Sequence, residues 1–365
     1  MGFKCGIVGL PNVGKSTLFN ALTQTANAEA SNYPFCTIEP NIGEVSVPDT
    51  RLTKLGNLSK SKNIIPTKLT FVDIAGLVEG ASKGEGLGNK FLSNIRETDA
   101  IAHVVRCFLN ENITHVQNKI DPLSDIQTIE TELLLADIQN LENRKSGLER
   151  KIKSNDENSK ITYTFIDNIV NFLNTGKPAR EFAFDQNLIK LYKELNLLTS
   201  KPTLYICNVD EKDADSGNDL SKLVEKYAIS SKSHCIVISA STESDLSVLD
   251  ESEKEEYLNS IGLNETGLNK VIRTGYNILD LITYFTSGPK ETRAWTIPRE
   301  TIAPKAASVI HTDFEKGFIR AETISYDDFI SFQGDQGSKE AGKMRLEGKD
   351  YIVKDGDIMH FRFAN

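Results

Sequence analysis

One short segment constrains this chain more than any other. Phe3–Val8 is a near-continuous apolar run, Lys15–Thr25 carries a helical pattern, and the turn between them is Gly9-Leu10-Pro11-Asn12-Val13-Gly14-Lys15-Ser16. A strand, a turn bracketed by glycines and a helix entered on Lys-Ser is G-x-x-x-x-G-K-[ST] in the context that gives it meaning. Successive N–H groups around Val13–Thr17 converge on one concavity, and the helix dipole adds partial positive charge there. That concavity suits phosphate oxygens. The expected contacts are Asn12, Val13, Gly14, Lys15, Ser16 and Thr17, with the Lys15 ammonium on the β- and γ-phosphates and the Ser16 hydroxyl in a magnesium shell.

The rest of the chain supplies a sheet for such a loop. Leu69–Ile74, Ile101–Phe108, Thr203–Cys207 and Cys235–Ser239 are short runs rich in Ile, Val, Phe or Cys, bounded by Gly, Asp, Asn or Pro. Strands buried on both faces of a parallel sheet look like this. Helical patterns at Asn89–Thr98 and Asp219–Tyr227 alternate with them, which predicts a doubly wound α/β domain. Between them, Leu134, Ile138, Leu141, Lys145, Leu148 and Ile152 recur at four- and three-residue spacings, and Ile161, Phe165, Ile169 and Phe172 follow a polar break at Ser154–Lys160. That pattern predicts an inserted antiparallel helical hairpin. Its basic cluster (Arg144, Lys145, Arg150, Lys151, Lys153) is a candidate RNA contact set against the plainer reading of a solvated face. Glu243–Glu256 reads as a solvated acidic loop and helix start. After Leu281, short strands and helix-like pieces at Ala303–Ile310 and Lys339–Arg345, punctuated by Gly and Pro, predict a small α+β unit with a mixed sheet. The expected domains are 1–122 with 199–280 for the nucleotide, 123–198 for the helical insertion and 281–365 for the C-terminal unit.

Three further motifs bear on chemistry. Asp73-Ile74-Ala75-Gly76 ends a strand, where an Asp faces the ligand crevice; Asp73 is expected to hold the magnesium and the Gly76 N–H to meet the γ-phosphate. Asn32–Pro40 is a Pro-punctuated loop centred on Thr37, which is expected to ligate magnesium only when a γ-phosphate is present. Asn208-Val209-Asp210-Glu211 occupies the place where guanine-specific relatives carry N-K-x-D. Its Lys is Val209 and its Asp is Glu211, so two contacts to guanine are altered and adenine is favoured; Asp210 would restore a guanine contact after a one-residue shift. Leu77, just after the D-x-x-G motif, cannot orient a water as Gln does in many switch GTPases. Among five histidines, His103 reads as a satisfied core residue. His115, in the polar loop Asn110–Asn118, is the candidate water-positioning group, and the Gly80–Gly88 run is a candidate nucleotide-sensing loop.

Composition removes other classes. With 42 Lys+Arg against 51 Asp+Glu the chain carries −9, which argues against wrapping nucleic acid over a wide surface and leaves no case for specific DNA binding. No apolar run reaches 18 residues and the N-terminus reads as a strand, so neither a membrane span nor a signal peptide is expected. Five scattered cysteines without a C-x-x-C pair predict a reducing, cytoplasmic setting.

The motifs GLPNVGKST (Gly9–Thr17), NYPFCTIEPN (Asn32–Asn41), DIAGLV (Asp73–Val78) and GEGLGN (Gly84–Asn89), with HTDFEKGFIRAETI and KDYIVKDGDIMHFRF near the C-terminus, resemble the YchF-type, Obg-like ATPases along essentially the whole chain. The resemblance implies a Ras-like nucleotide domain, a helical coiled-coil insertion and a C-terminal TGS domain of ubiquitin-like topology. It implies magnesium-dependent ATP use in preference to GTP and ribosome association, with RNA contact through the arm and the TGS domain. In that family Asn208 and Glu211 match an N-x-x-E base motif, a hydrophobic residue stands where Leu77 does, and a loop histidine at the position of His115 is the proposed substitute. Two other readings stay open on the residues alone: a GTP-hydrolysing switch, and a ribosome- or protein-binding module whose nucleotide is regulatory.

Overall fold

The computed structural model describes residues 3–30, 41–74, 89–110, 120–153 and 156–364. Thr37, Gly76, Leu77, the Gly80–Gly88 run and His115 lie outside them. The contacts divide the chain into two compact units, Phe3–Glu44 with Thr70–Gly275, and Val45–Leu69 with Tyr276–Asn365. In chain order the first elements are β1 (Lys4–Val8), α1 (Lys15–Ala30), β2 (Ile42–Ser46), α2 (Thr50–Leu58), β3 (Asn63–Ile65), β4 (Lys68–Asp73), α3 (Asn89–Arg96) and β5 (Ala100–Arg106). Then come α4 (Pro122–Lys153), α5 (Glu157–Leu173), α6 (Ile189–Leu195), β6 (Thr203–Asn208), α7 (Asp219–Ser230), β7 (His234–Ile238), α8 (Ala240–Leu246), α9 (Glu251–Ser260) and α10 (Gly267–Ile278).

The first sheet has the order β2-β4-β1-β5-β6-β7, and from β4 to β7 each pairing is parallel. All seven residues of β5 and all six of β6 are buried, which is why their apolar runs are continuous. Along β5 the side chains alternate between faces. Val105 and Cys107 join Tyr205 and Cys207 of β6 in a core closed by Ile126 of α4 with Val224 and Ala228 of α7. This is the predicted Ras-like doubly wound domain.

The predicted hairpin is α4 and α5. At 1.5 Å per residue the 32 residues of α4 span about 48 Å. Leu141 of α4 packs with Phe165, Ile169 and Leu173 of α5, and an aromatic group of Phe182, Phe184 and Tyr192 closes the end of that core. Lys145, at a seam position, reaches Asp167 at 2.7 Å. Arg144 donates to the Glu194 carbonyl at 3.2 Å. Two members of the expected basic cluster therefore hold the arm to itself. Ile161, expected in the seam, is 54% exposed.

The second unit contains β8 (Leu281–Ser287), β9 (Glu291–Pro298), α11 (Ala303–Ile310), α12 (Thr312–Lys316), β10 (Phe318–Ile324), α13 (Tyr326–Ser331), α14 (Asp335–Glu340), β11 (Arg345–Glu347) and β12 (Ile358–Phe363). Its sheet runs β11-β10-β12-β8-β9-β3, with β12 parallel to β8 and its other partner β10 antiparallel. The mixed sheet was expected; β3 was not. The segment Val45–Leu69, which the sequence reading kept within 1–122, gives this sheet a parallel edge strand at Asn63↔Glu291 and gives its core Leu52 and Leu55 of α2. The helix expected at Lys339–Arg345 lies earlier, because Gly342 at φ 69° follows its end and Arg345 begins β11.

Candidate nucleotide-binding site

The loop after β1 is shaped by what its glycines avoid. A Cβ on Gly9 would sit 2.8 Å from the Val104 carbonyl of β5, so only glycine lets the loop leave the sheet so closely. Asn12 takes φ 63° and Gly14 φ 94°, after which α1 begins; the Leu18 N–H donates to the Gly14 carbonyl at 3.0 Å. The first turn of α1 carries no acidic residue of its own to oppose an anion at its N-terminus. Ser16 and Thr17 are exposed there, while Val13 is buried and Lys15 is 9% exposed.

The buried Lys15 ammonium is in contact with the Asp73 carboxylate. Asp73 reaches this place because β4 lies parallel to β1 with Asp73 opposite Ile7, and its own N–H donates to the Asn41 carbonyl at 2.8 Å. A lysine and an aspartate 58 residues apart are thus joined at the C-terminal edge of adjacent strands, where ligands bind in such sheets.

Asn208 ends β6, where its amide is held by the loop and helix on either side. Nδ2 donates to the Val13 carbonyl at 2.9 Å, and Oδ1 accepts from the Ala240 N–H at 2.9 Å. It ties the phosphate loop to the start of α8, and a Cβ on Gly14 would lie 2.2 Å from its Nδ2. Val209 is 2% exposed and donates its N–H to the Ile238 carbonyl. Glu211 is exposed, and its Oε1 accepts from the Tyr257 hydroxyl at 2.9 Å, which raises the Tyr257 phenol above its ordinary range.

The fold therefore gathers Asn12 to Thr17, Asp73 and Asn208 at one edge and sets Glu211 on the surface beside Tyr257. Two residues have roles that the sequence did not reveal. Arg106, 1% exposed at the end of β5, donates to the Phe108 and Asn110 carbonyls at 3.3 and 3.1 Å and stacks on Phe108, fixing the chain that leads into 111–119. An Arg closing a fully buried strand that is apolar but for His103 was the available signal. Glu243, expected on a solvated stretch, is 2% exposed; its carboxylate accepts from the Gly267 and Leu268 N–H groups at 2.6 and 3.0 Å and caps α10.

A glycine-shaped amide cradle at a helix N-terminus, with a Lys–Asp pair at the ends of parallel strands, defines a P-loop NTPase. Comparison narrows this. The profile of a family described as a 50S ribosome-binding GTPase matches residues 4–135, and that of the YchF-type GTPase C-terminal domain, described as a protein of unknown function, matches residues 281–364. The chain is 57% identical over 363 residues to the ribosome-binding ATPase YchF of Haemophilus influenzae, covering 100% of this chain and 99% of that one. It is 51% identical over 365 residues to the Bacillus subtilis protein of the same name, covering the full length of both. A solved structure of the Schizosaccharomyces pombe YchF GTPase superposes with TM-score 0.91 at 39% identity, over 99% of this chain and 98% of that one. A GTP-binding protein of Pyrococcus horikoshii shares the fold at TM-score 0.62 and 19% identity, over 99% of this chain and 100% of that one. This chain belongs to the YchF family.

Proposed function

We propose that this chain is a magnesium-dependent ATP hydrolase, preferring ATP to GTP, that acts in the cytoplasm as a nucleotide-controlled switch on the ribosome. The observation that carries the reading is the Lys15–Asp73 pair beside the amide cradle of the phosphate loop. Lys15 holds the β- and γ-phosphates with the amides of Gly14 to Thr17. Ser16 and Asp73 offer the hard oxygen donors that suit magnesium, with Thr37 and the Gly76 N–H as further partners at the γ-phosphate. Bound there, the ion supplies neutralisation of charge developing on the phosphoryl oxygens. His115 is the proposed positioning group for the attacking water, since Leu77 has no polar atom. The relatives' names supply ATP hydrolysis and ribosome binding. The exposed ends of the arm and the C-terminal TGS-like unit are the proposed RNA contacts.

Base choice is the open point, since one relative is named a GTPase. Val209 and the surface Glu211, already accepting from Tyr257, favour adenine. Competition calorimetry of ATP against GTP, with and without ribosomes, tests it: tighter ATP binding is expected, and tighter GTP binding overturns the base reading. Lys15→Ala is expected to abolish nucleotide binding, and micromolar ATP affinity in that variant would refute the phosphate role. Leu77 also favours a second reading, a ribosome-binding module with a regulatory nucleotide. Single-turnover hydrolysis that ribosomes do not stimulate and that His115→Ala leaves unchanged would support it.

A further inference from the structure

One contact at the base motif comes from far along the chain. Glu211 opens a short 3-10 turn, Glu211–Asp213, just beyond the Asn208 that ends β6. That turn is tied down. The Asp213 N–H donates to the Asp210 carbonyl at 2.9 Å and the Ala214 N–H to the Glu211 carbonyl at 3.0 Å. Asn218 Nδ2 donates to the Asp213 carboxylate at 3.1 Å and to the Cys107 carbonyl at 2.8 Å. Tyr257 belongs to a separate element. α9 starts at a capping box, in which Asp250 accepts from the Ser252 and Glu253 N–H groups and Glu253 accepts from the Asp250 N–H. From this helix the half-buried Tyr257 donates its hydroxyl to Glu211 Oε1 at 2.9 Å, 46 residues away in sequence. Both partners stand on fixed backbone, so the bond sets where the carboxylate lies. The acceptor is charged, which makes this the stronger kind of hydrogen bond, and Glu211 raises the phenol pKa so that the donor keeps its proton.

What Glu211 can read depends on that bond. A carboxylate at this place recognises guanine with both oxygens, one taking the N1–H and the other the 2-amino group. Adenine has neither donor, and its N1 is itself an acceptor. Anchored through Oε1, Glu211 can present both oxygens to guanine only by giving up Tyr257. Adenine makes no such demand and leaves the bond intact. We infer that Tyr257 is a specificity-determining, positioning residue: by holding the Glu211 carboxylate it penalises guanine and keeps adenine ahead. The inference rests on the reading of Asn208–Glu211 as the base motif of an ATP-preferring site, and it names the residue that enforces the preference. Asp210 is the other carboxylate in the motif, so the test has to separate the two.

Calorimetry on the full chain with GTP, ITP and ATP, each with magnesium, makes that test. ITP keeps the N1–H of GTP and lacks the 2-amino group. Tyr257→Phe keeps the ring and the backbone bonds of α9 and removes only the hydroxyl. GTP affinity is expected to rise roughly tenfold in this variant, the worth of one charge-assisted hydrogen bond, with ITP gaining less and ATP not gaining. A mere loosening of α9 would move all three nucleotides together. Adding Glu211→Ala to Tyr257→Phe should cancel the GTP gain. A gain that survives belongs to Asp210 and overturns the inference, as do equal gains for the three nucleotides. The parent's own ratio judges the base reading separately. A parent that binds GTP more tightly than ATP sinks that reading, whereas an ATP-preferring parent whose ratio is untouched by Tyr257→Phe overturns the Tyr257 inference alone.

Discussion

Asn208 shows how much one side chain can carry at this site. Its amide satisfies the Val13 carbonyl and the Ala240 N–H, and it fills the space that a Gly14 side chain would need. Asn208→Ala should cost about 2–4 kcal/mol in chemical denaturation, the sum of two orphaned buried groups, and should weaken ATP binding with it. Gly14→Ala meets both a clash and a left-handed backbone, so calorimetry should find nucleotide binding lost. His103 gives a pH signature. Glu130 of α4, Arg180, Tyr205 of β6 and Tyr227 of α7 surround it, and burial lowers its pKa from 6.5 to about 4. The unfolded chain therefore binds this proton as pH falls through 6.5, whereas the folded chain binds it only near 4. Stability should decline by ~3 kcal/mol across that window, and His103→Phe should remove that part of the slope. Denaturation midpoints at pH 4.5 and 7 check it. A stability unchanged between them in the parent protein would contradict the burial assigned to this ring.

Elements differed in how plainly the sequence announced them. The parallel strands were legible because β5 and β6 are buried on both faces, and a continuous apolar run has few other homes. The phosphate loop was legible because its glycines answer to local geometry. Glu243 was not: an acidic stretch reads as solvent-facing, and nothing local reveals that its carboxylate caps a helix starting 24 residues later. β3 was hidden for the same reason, since Asn63-Ile64-Ile65 becomes a strand only against Glu291–Arg293. Asn208 was recognised as part of a motif, but its role as a tie depends on the Ala240 N–H, 32 residues further along the chain. The Glu243 cap makes its own prediction: Glu243→Ala should cost about 1–3 kcal/mol and raise hydrogen exchange at Gly267 and Leu268 above that of the rest of α10. Unchanged exchange there would rule the cap out.

On the scale of the whole molecule, the C-terminal unit is not made by C-terminal residues alone. Leu52 and Leu55 of α2 complete a core with Phe285, Phe329 and Ile358, and Arg51 bridges Asp49 and Asp355 at 2.8 and 2.7 Å. Asp355 in turn accepts from the Thr283 N–H at 2.9 Å. Residues 276–365 expressed alone should give the poorly dispersed amide spectrum of a chain with an uncovered core, and joining 45–69 by a flexible linker should restore dispersion. A well-dispersed spectrum from the short piece would show that α2 and β3 are accessories.

The chain passes from one unit to the other after Glu44, returns after Leu69 and crosses again after Gly275. A part threaded in this way cannot be gained, lost or traded by a single recombination event, because one cut delivers only a fraction of a working fold. The two halves are committed to inheritance as a pair, and a natural variant carrying one without the other would have to rebuild an edge strand and a helix from unrelated sequence.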